Sequence, residues 1–229
     1  MSSIAVSEFV IKVVSEIVVY HYDDSELTGF FHDAGVPQLP KSPNKVAVCR
    51  DYLRLANQGA GIDPLMILGR LLKRYMDDDR SFKTQHAVEG RDTNRERIAC
   101  ALEMEGLRYS SGGVVSAGHS KREFFVGGLY FMIWWLDEER LLLAPDSLVF
   151  IDMNLGFGDE KDEVETWYFQ DAKSYSSKGA YKKDFETSDD EVRLYQLRRE
   201  DLYQVVDCKG LAAIASKCAK RRLAVGKSA

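Results

Sequence analysis

The residues whose types and spacing best suit chemistry are Pro145-Asp146 and, further along, Asp171-Ala172-Lys173. Two carboxylates and a lysine in one place could hold Mg²⁺ and steady an attacked phosphate, the chemistry of metal-assisted phosphodiester hydrolysis. Period-two spacing puts Asp171 and Lys173 on one face if that segment is a strand. Asp146, by contrast, precedes the strand read from Ser147 onward, so spacing alone does not complete the set.

A nucleophilic centre needs a serine or cysteine beside a positioned base, and Ser116 near His119 is the one close pair in the sequence. His21, His32, His86 and His119 lack the i, i+4 spacing of a helical zinc site. Gly112-Gly113 and Gly127-Gly128 are not followed by the Lys-Ser/Thr and helix of a phosphate loop. Cys49, Cys100, Cys208 and Cys218 form no C-x-x-C pair, which argues against a zinc knuckle or a disulfide framework. The sequence therefore assigns no catalytic residue, no metal ligand and no cofactor.

Binding is the better use of what remains. The run Trp167-Tyr168-Phe169-Gln170-Asp171-Ala172-Lys173-Ser174-Tyr175 concentrates aromatic and polar groups, and Trp134-Trp135 adds two more large rings. Trp and Tyr supply large contact areas at low entropy cost, as interface anchors do. Trp134, Trp135, Trp167, Tyr168, Asp171 and Tyr175 are the candidate binding residues. Alternate aromatics packing a sheet account for the same pattern.

Bulk properties narrow the class. At 229 residues, 45% apolar and 29% charged, the chain has ordinary globular composition and length for two modest cores. Its net charge of −5 is spread evenly, with 14 basic and 16 acidic residues in 1–117 and 17 and 20 in 118–229. Neither half carries the basic excess of a protein built to neutralise phosphates. Two local exceptions are the acidic stretch Asp159, Glu160, Asp162, Glu163, Glu165 and the basic tail Lys217, Lys220, Arg221, Arg222, Lys227. A nucleic-acid contact through the tail is not favoured over a solvated helix end. Ile4 to Tyr20 is rich in Val and Ile, but Glu8, Lys12 and Glu16 interrupt it, so membrane insertion is not expected and a cytoplasmic setting is.

The elements that must position these residues change character near residue 117. Val6, Val10, Val13, Ile17 and Tyr20 recur at helical spacing, Asp24 can cap a helix ending at Gly35, and Ser42-Pro43 and Asp63-Pro64 open two more. Thr93 and Glu96 form a capping box for a fifth, and Ser110-Ser111-Gly112-Gly113 signals a hairpin. Beyond 117 lie aromatic runs around Phe124 to Leu136, then strands at Ser147–Leu155, Thr166–Phe169 and Glu191–Leu197. A helix over Arg199–Arg222 follows, bent or broken at Gly210 and burying Leu202, Val205, Val206, Leu211, Ile214, Ala215 and Cys218. The expected class is α+β: a small helical bundle over 1–117, then an antiparallel-sheet domain over 118–229 with a C-terminal helix.

Two resemblances bear on function. Phe30-Phe31-x-Asp33-Ala34-Gly35, and Arg95-Glu96-Arg97-Ile98 leading into Gly106-Leu107-Arg108-Tyr109-Ser110-Ser111-Gly112-Gly113, resemble helical modules of bacterial abortive-infection and effector-associated proteins over roughly residues 1–115. That resemblance implies a non-enzymatic adaptor or sensor in anti-phage defence, with a protein partner such as an effector or a phage component, and carries over no catalytic residue. Pro145-Asp146 with Asp171-Ala172-Lys173 is similar to metal-dependent nucleases of the PD-(D/E)xK type, which implies the alternative activity. A third reading is an immunity-type protein that blocks a toxin through the acidic stretch at 159–165.

Overall fold

The chain divides into two compact units, Met1–Arg122 and Glu123–Ala229. The computed structural model describes residues 4–37, 43–59, 61–77, 85–137, 140, 142–155, 165–181 and 192–225.

In the first unit, α1 (Glu8–Val18) starts where Ser7 Oγ accepts from the Val10 N–H at 3.3 Å. Val and Ile are weak helix formers, yet Val10, Ile11, Val14 and Val18 are fully buried here, and that burial outweighs local preference. Tyr20 departs from the expected stripe and is 75% exposed, because the chain tightens into a 3-10 turn over Val19–His21 that rotates it outward. The next helix, α2 (Asp24–Asp33), is capped by Asp23 rather than Asp24: Asp23 Oδ1 accepts from the Glu26 N–H at 2.7 Å and Glu26 Oε2 accepts from the Asp23 N–H at 3.0 Å.

The cap of α3 (Lys45–Gln58) is Asn44, whose side chain accepts from Ala47 at 3.1 Å, while Ser42 lies outside the described residues. As the sequence predicts, α4 (Pro64–Asp77) begins with Asp63 accepting from the Leu65 N–H at 3.0 Å. Helix α5 (Gln85–Met104) corrects the Thr93 expectation, since Thr93 lies inside it. A capping box is worth only about 1 kcal/mol, less than the continuous backbone ladder that runs through it. Strands β1 (Arg108–Ser110) and β2 (Val114–Ser116) form the expected hairpin around left-handed Gly112 and Gly113. One core of Val, Ile, Leu and aromatic side chains, including a stacked Phe31–Tyr52 pair at 4.6 Å, joins these elements.

The second unit is a five-stranded antiparallel sheet. It comprises β3 (Leu129–Trp135), β4 (Leu143–Met153), β5 (Thr166–Asp171), helix α6 (Ala172–Lys178), β6 (Leu194–Arg198), β7 (Val205–Val206) and helix α7 (Cys208–Val225). Strand order is β6-β5-β4-β3-β7. Phe124, Phe150 and Phe169 pack together with ring centroids 5.2 to 5.7 Å apart, whereas Val149, Ile151 and Tyr168 form a separate cluster with Leu155, Ala172 and Tyr175. The α+β class, with helices first, an antiparallel sheet next and a helix last, matches the sequence patterning.

Three details differ from expectation. Strand β4 begins at Leu143, so Asp146 sits within a strand. The expected helix over Arg199–Arg222 is a 3-10 segment (Arg199–Gln204), then β7, then α7. The β-branched pair Val205-Val206 finds a partner in Met132 and Phe131 of β3, and Asp207 restarts the helix by accepting from the Gly210 N–H at 2.7 Å. Ala215 is exposed on α7, while Cys218 is buried. Most of the acidic stretch (all but Glu165) and Lys227 lie outside the described residues. No helix among the described residues is long and apolar enough to cross a membrane.

Candidate functional site

Strand pairing gathers the polar residues. Leu148 of β4 faces Asp171 of β5, so Asp146, two residues before Leu148, shares a face with Asp171. Tyr195 faces Phe169 and is thereby brought to that same side from β6. Residues 146 and 132 are also paired, which aligns Trp134 with Asp146, and the Trp134 Nε1–H donates to Asp146 Oδ2 at 2.9 Å. A cleft of about 480 Å³ opens at this end of the sheet. Asp146 and Ser147 line it from β4, Asp171 from β5, Lys173, Ser174 and Ser177 from α6, and Arg193 and Tyr195 from the β6 side.

Asp146, Asp171 and Lys173 therefore do meet, but not in the predicted geometry. Lys173 lies in the first turn of α6 and not on a strand, because Asp171 ends β5 by capping that helix. Its Oδ1 accepts from the Ser174 N–H at 2.9 Å, and its Oδ2 accepts from the Ser174 hydroxyl and from the Arg193 N–H at 3.3 Å. Burial pushes the Asp171 carboxyl up, but these hydrogen bonds outweigh it and hold the group below the usual carboxylate range. The charge of Asp171 is thus spent on its own helix. Among the described residues, no group of three or more His, Cys, Asp or Glu side chains is placed to hold a metal ion.

Beneath the cleft, fully buried Gln170 ties β5 to the chain leaving α6. Its Nε2–H₂ donates to Ser174 Oγ at 3.1 Å and to the Gly179 carbonyl at 3.2 Å, and its Oε1 accepts from the Tyr181 N–H at 2.9 Å. Tyr195 is pushed above the usual phenol range, first by burial and then by the Asp146 charge, with Arg193 opposing. Asp146 and Arg193 therefore act on one hydroxyl from opposite signs.

The six candidate binding residues separate. Asp171 lines the cleft, whereas Trp134, 44% exposed, reaches it only through its hydrogen bond to Asp146. Trp135 points to the opposite face, with the Arg140 guanidinium 5.4 Å from its ring centroid. Trp167 and Tyr168 are buried, so their contact area goes to packing on the two faces of the sheet. Tyr175 packs against the Tyr168 cluster. Sequence reading missed Arg193, Tyr195 and the serines as site residues, although period two along Arg193-Leu194-Tyr195 and the cap signal of Asp171 followed by Ser174 were both present.

The Ser116 and His119 pair is also real as a contact, with Ser116 Oγ 2.8 Å from His119 Nε2. Both side chains are half-buried, and no carboxylate among the described residues orients the imidazole, so the arrangement lacks the third member of an activated nucleophile. Comparison of the chain with protein-family models, curated proteins and solved structures finds no match.

Proposed function

We propose that this protein works by recognition and not by catalysis, and that the cleft bounded by Asp146, Asp171 and Arg193 is where recognition takes place. The observation that carries this reading is the engagement of both carboxylates. Asp171 is held through both oxygens by the first turn of α6 and the Arg193 N–H, and the Trp134 indole fixes Asp146 through Oδ2, so only Oδ1 of Asp146 stays open and the pair does not offer the two open carboxylates of a metal site. The resemblance of residues 1–115 to abortive-infection modules supports a setting for such a binder, a cytoplasmic adaptor or sensor in bacterial defence whose first unit docks a protein partner.

A second reading, the Mg²⁺-dependent nuclease, is favoured by one observation: Asp146, Asp171 and Lys173 line the same cleft. One experiment separates the two. Pure protein incubated with DNA or RNA and Mg²⁺ or Mn²⁺ is expected to cut no faster than its Asp146→Asn variant. Cutting by the wild type that disappears in both Asp146→Asn and Lys173→Gln would replace recognition with hydrolysis.

A further inference from the structure

The cleft's polar groups have a definite pattern of sign. Asp146 presents a carboxylate whose orientation is set by the Trp134 indole on Oδ2, leaving Oδ1 to accept from a ligand. Arg193 and Lys173 are exposed at the same cleft, and the other carboxylate that lines it, Asp171, is already engaged by three donors. A simple anion entering here meets the fixed charge of Asp146, and a simple cation meets Arg193 and Lys173. Specificity by repulsion then favours a molecule that carries both signs close together. The volume of about 480 Å³ leaves room for a side chain beyond the charged head.

We propose that this cleft takes a small zwitterion, a free α-amino acid, with its ammonium on Asp146 and its carboxylate on Arg193 and Lys173. The proposal rests on the recognition reading above and names its ligand class. Trp134 acts as a positioning residue by fixing the Asp146 carboxylate, and Ser177 and Tyr195 offer hydroxyls at the rim.

The test is calorimetric titration of the full chain with the free amino acids, first in pools and then singly. Succinate, putrescine and inorganic phosphate serve as ligands of one sign. The expected result is binding of at least one amino acid, not displaced by excess of any single-sign ion, and weakened about 10- to 100-fold by Asp146→Asn and by Arg193→Gln. Asp146→Asn keeps an acceptor for the Trp134 N–H, and far-UV circular dichroism of both variants checks that they fold. Phosphate or succinate bound as tightly as any amino acid, and unaffected by Asp146→Asn, would overturn the zwitterion and leave recognition standing. Silence from every probe would also overturn it, while Mg²⁺-dependent cutting abolished by Asp146→Asn would remove both readings together.

Discussion

Asp171 shows how one side chain divides between structure and function. As a metal ligand it would need open lone pairs, but its oxygens accept from Ser174 and from the Arg193 backbone, and the helix that carries Lys173 starts on it. Asp171→Ala should therefore cost about 1–2 kcal/mol in urea unfolding. The pH dependence follows in sign. The folded carboxyl titrates below the unfolded value of about 3.9, so its contribution is complete above that value and is lost as pH falls through the folded one. The stability gap between wild type and Asp171→Asn should shrink from about pH 7 to about pH 3, and a gap independent of pH would show that no ionised acceptor is involved. Gln170 makes a second case at this scale. Replacing it by Leu removes the partner of the buried Ser174 hydroxyl and of the half-buried Tyr181 N–H, at about 1–3 kcal/mol, whereas an exposed glutamine such as Gln196 should change by less than about 0.5 kcal/mol.

At the scale of elements, α4 and the hairpin approach each other closely at Gly69. A Cβ on Gly69 would lie 2.2 Å from the Gly113 carbonyl oxygen, which is backbone and cannot swing aside. Asp77, at the end of α4, fastens the same hairpin by accepting from the Tyr109 hydroxyl at 2.8 Å and the Gly112 N–H at 2.7 Å. Helix propensity alone would reward Gly69→Ala by about 1 kcal/mol. The collision reverses the sign, and a net loss of about 1–3 kcal/mol in the unfolding free energy is expected. A gain would mean that helix and hairpin are less tightly joined than this geometry requires.

Local signals decided how much of these elements was legible. Asp63-Pro64, Gly35 and the Gly112-Gly113 turn are short-range chemistry, and each marks its boundary where expected. Thr93-Glu96 is equally short-range but lies within α5, because a cap motif competes with a backbone ladder that can run past it. Val205-Val206 leave their helix for a sheet edge because β3 offers partners distant in sequence. The cleft was half legible for the same reason. Asp146, Asp171 and Lys173 stand out by residue type and spacing, while Arg193 and Tyr195 depend on the β5–β6 register, which no local pattern specifies.

The molecule as a whole carries two cores built from separate stretches of chain, one of aliphatic helix faces and one of aromatic strands. This division has a spectroscopic handle, since all three tryptophans belong to the second unit, whereas the first unit holds the helices α1 to α5. Tryptophan fluorescence therefore reports the sheet, and far-UV circular dichroism is weighted toward the bundle. In denaturant the two signals should follow different transitions, the departure from two-state behaviour expected of a two-core chain. Leu68, fully buried in the bundle, gives one lever: Leu68→Ala should remove about 2–5 kcal/mol from the circular-dichroism transition and leave the fluorescence midpoint in place. Phe169→Ala, in the sheet, should remove about 3–5 kcal/mol from the fluorescence transition instead. If either change moved both transitions together, the cores would be one cooperative system, and a ligand in the sheet's cleft would then stabilise the helical bundle as well. If the transitions move separately, as expected, an amino acid bound at Asp146 and Arg193 raises the fluorescence midpoint alone, which makes the same pair of probes a direct readout of the site.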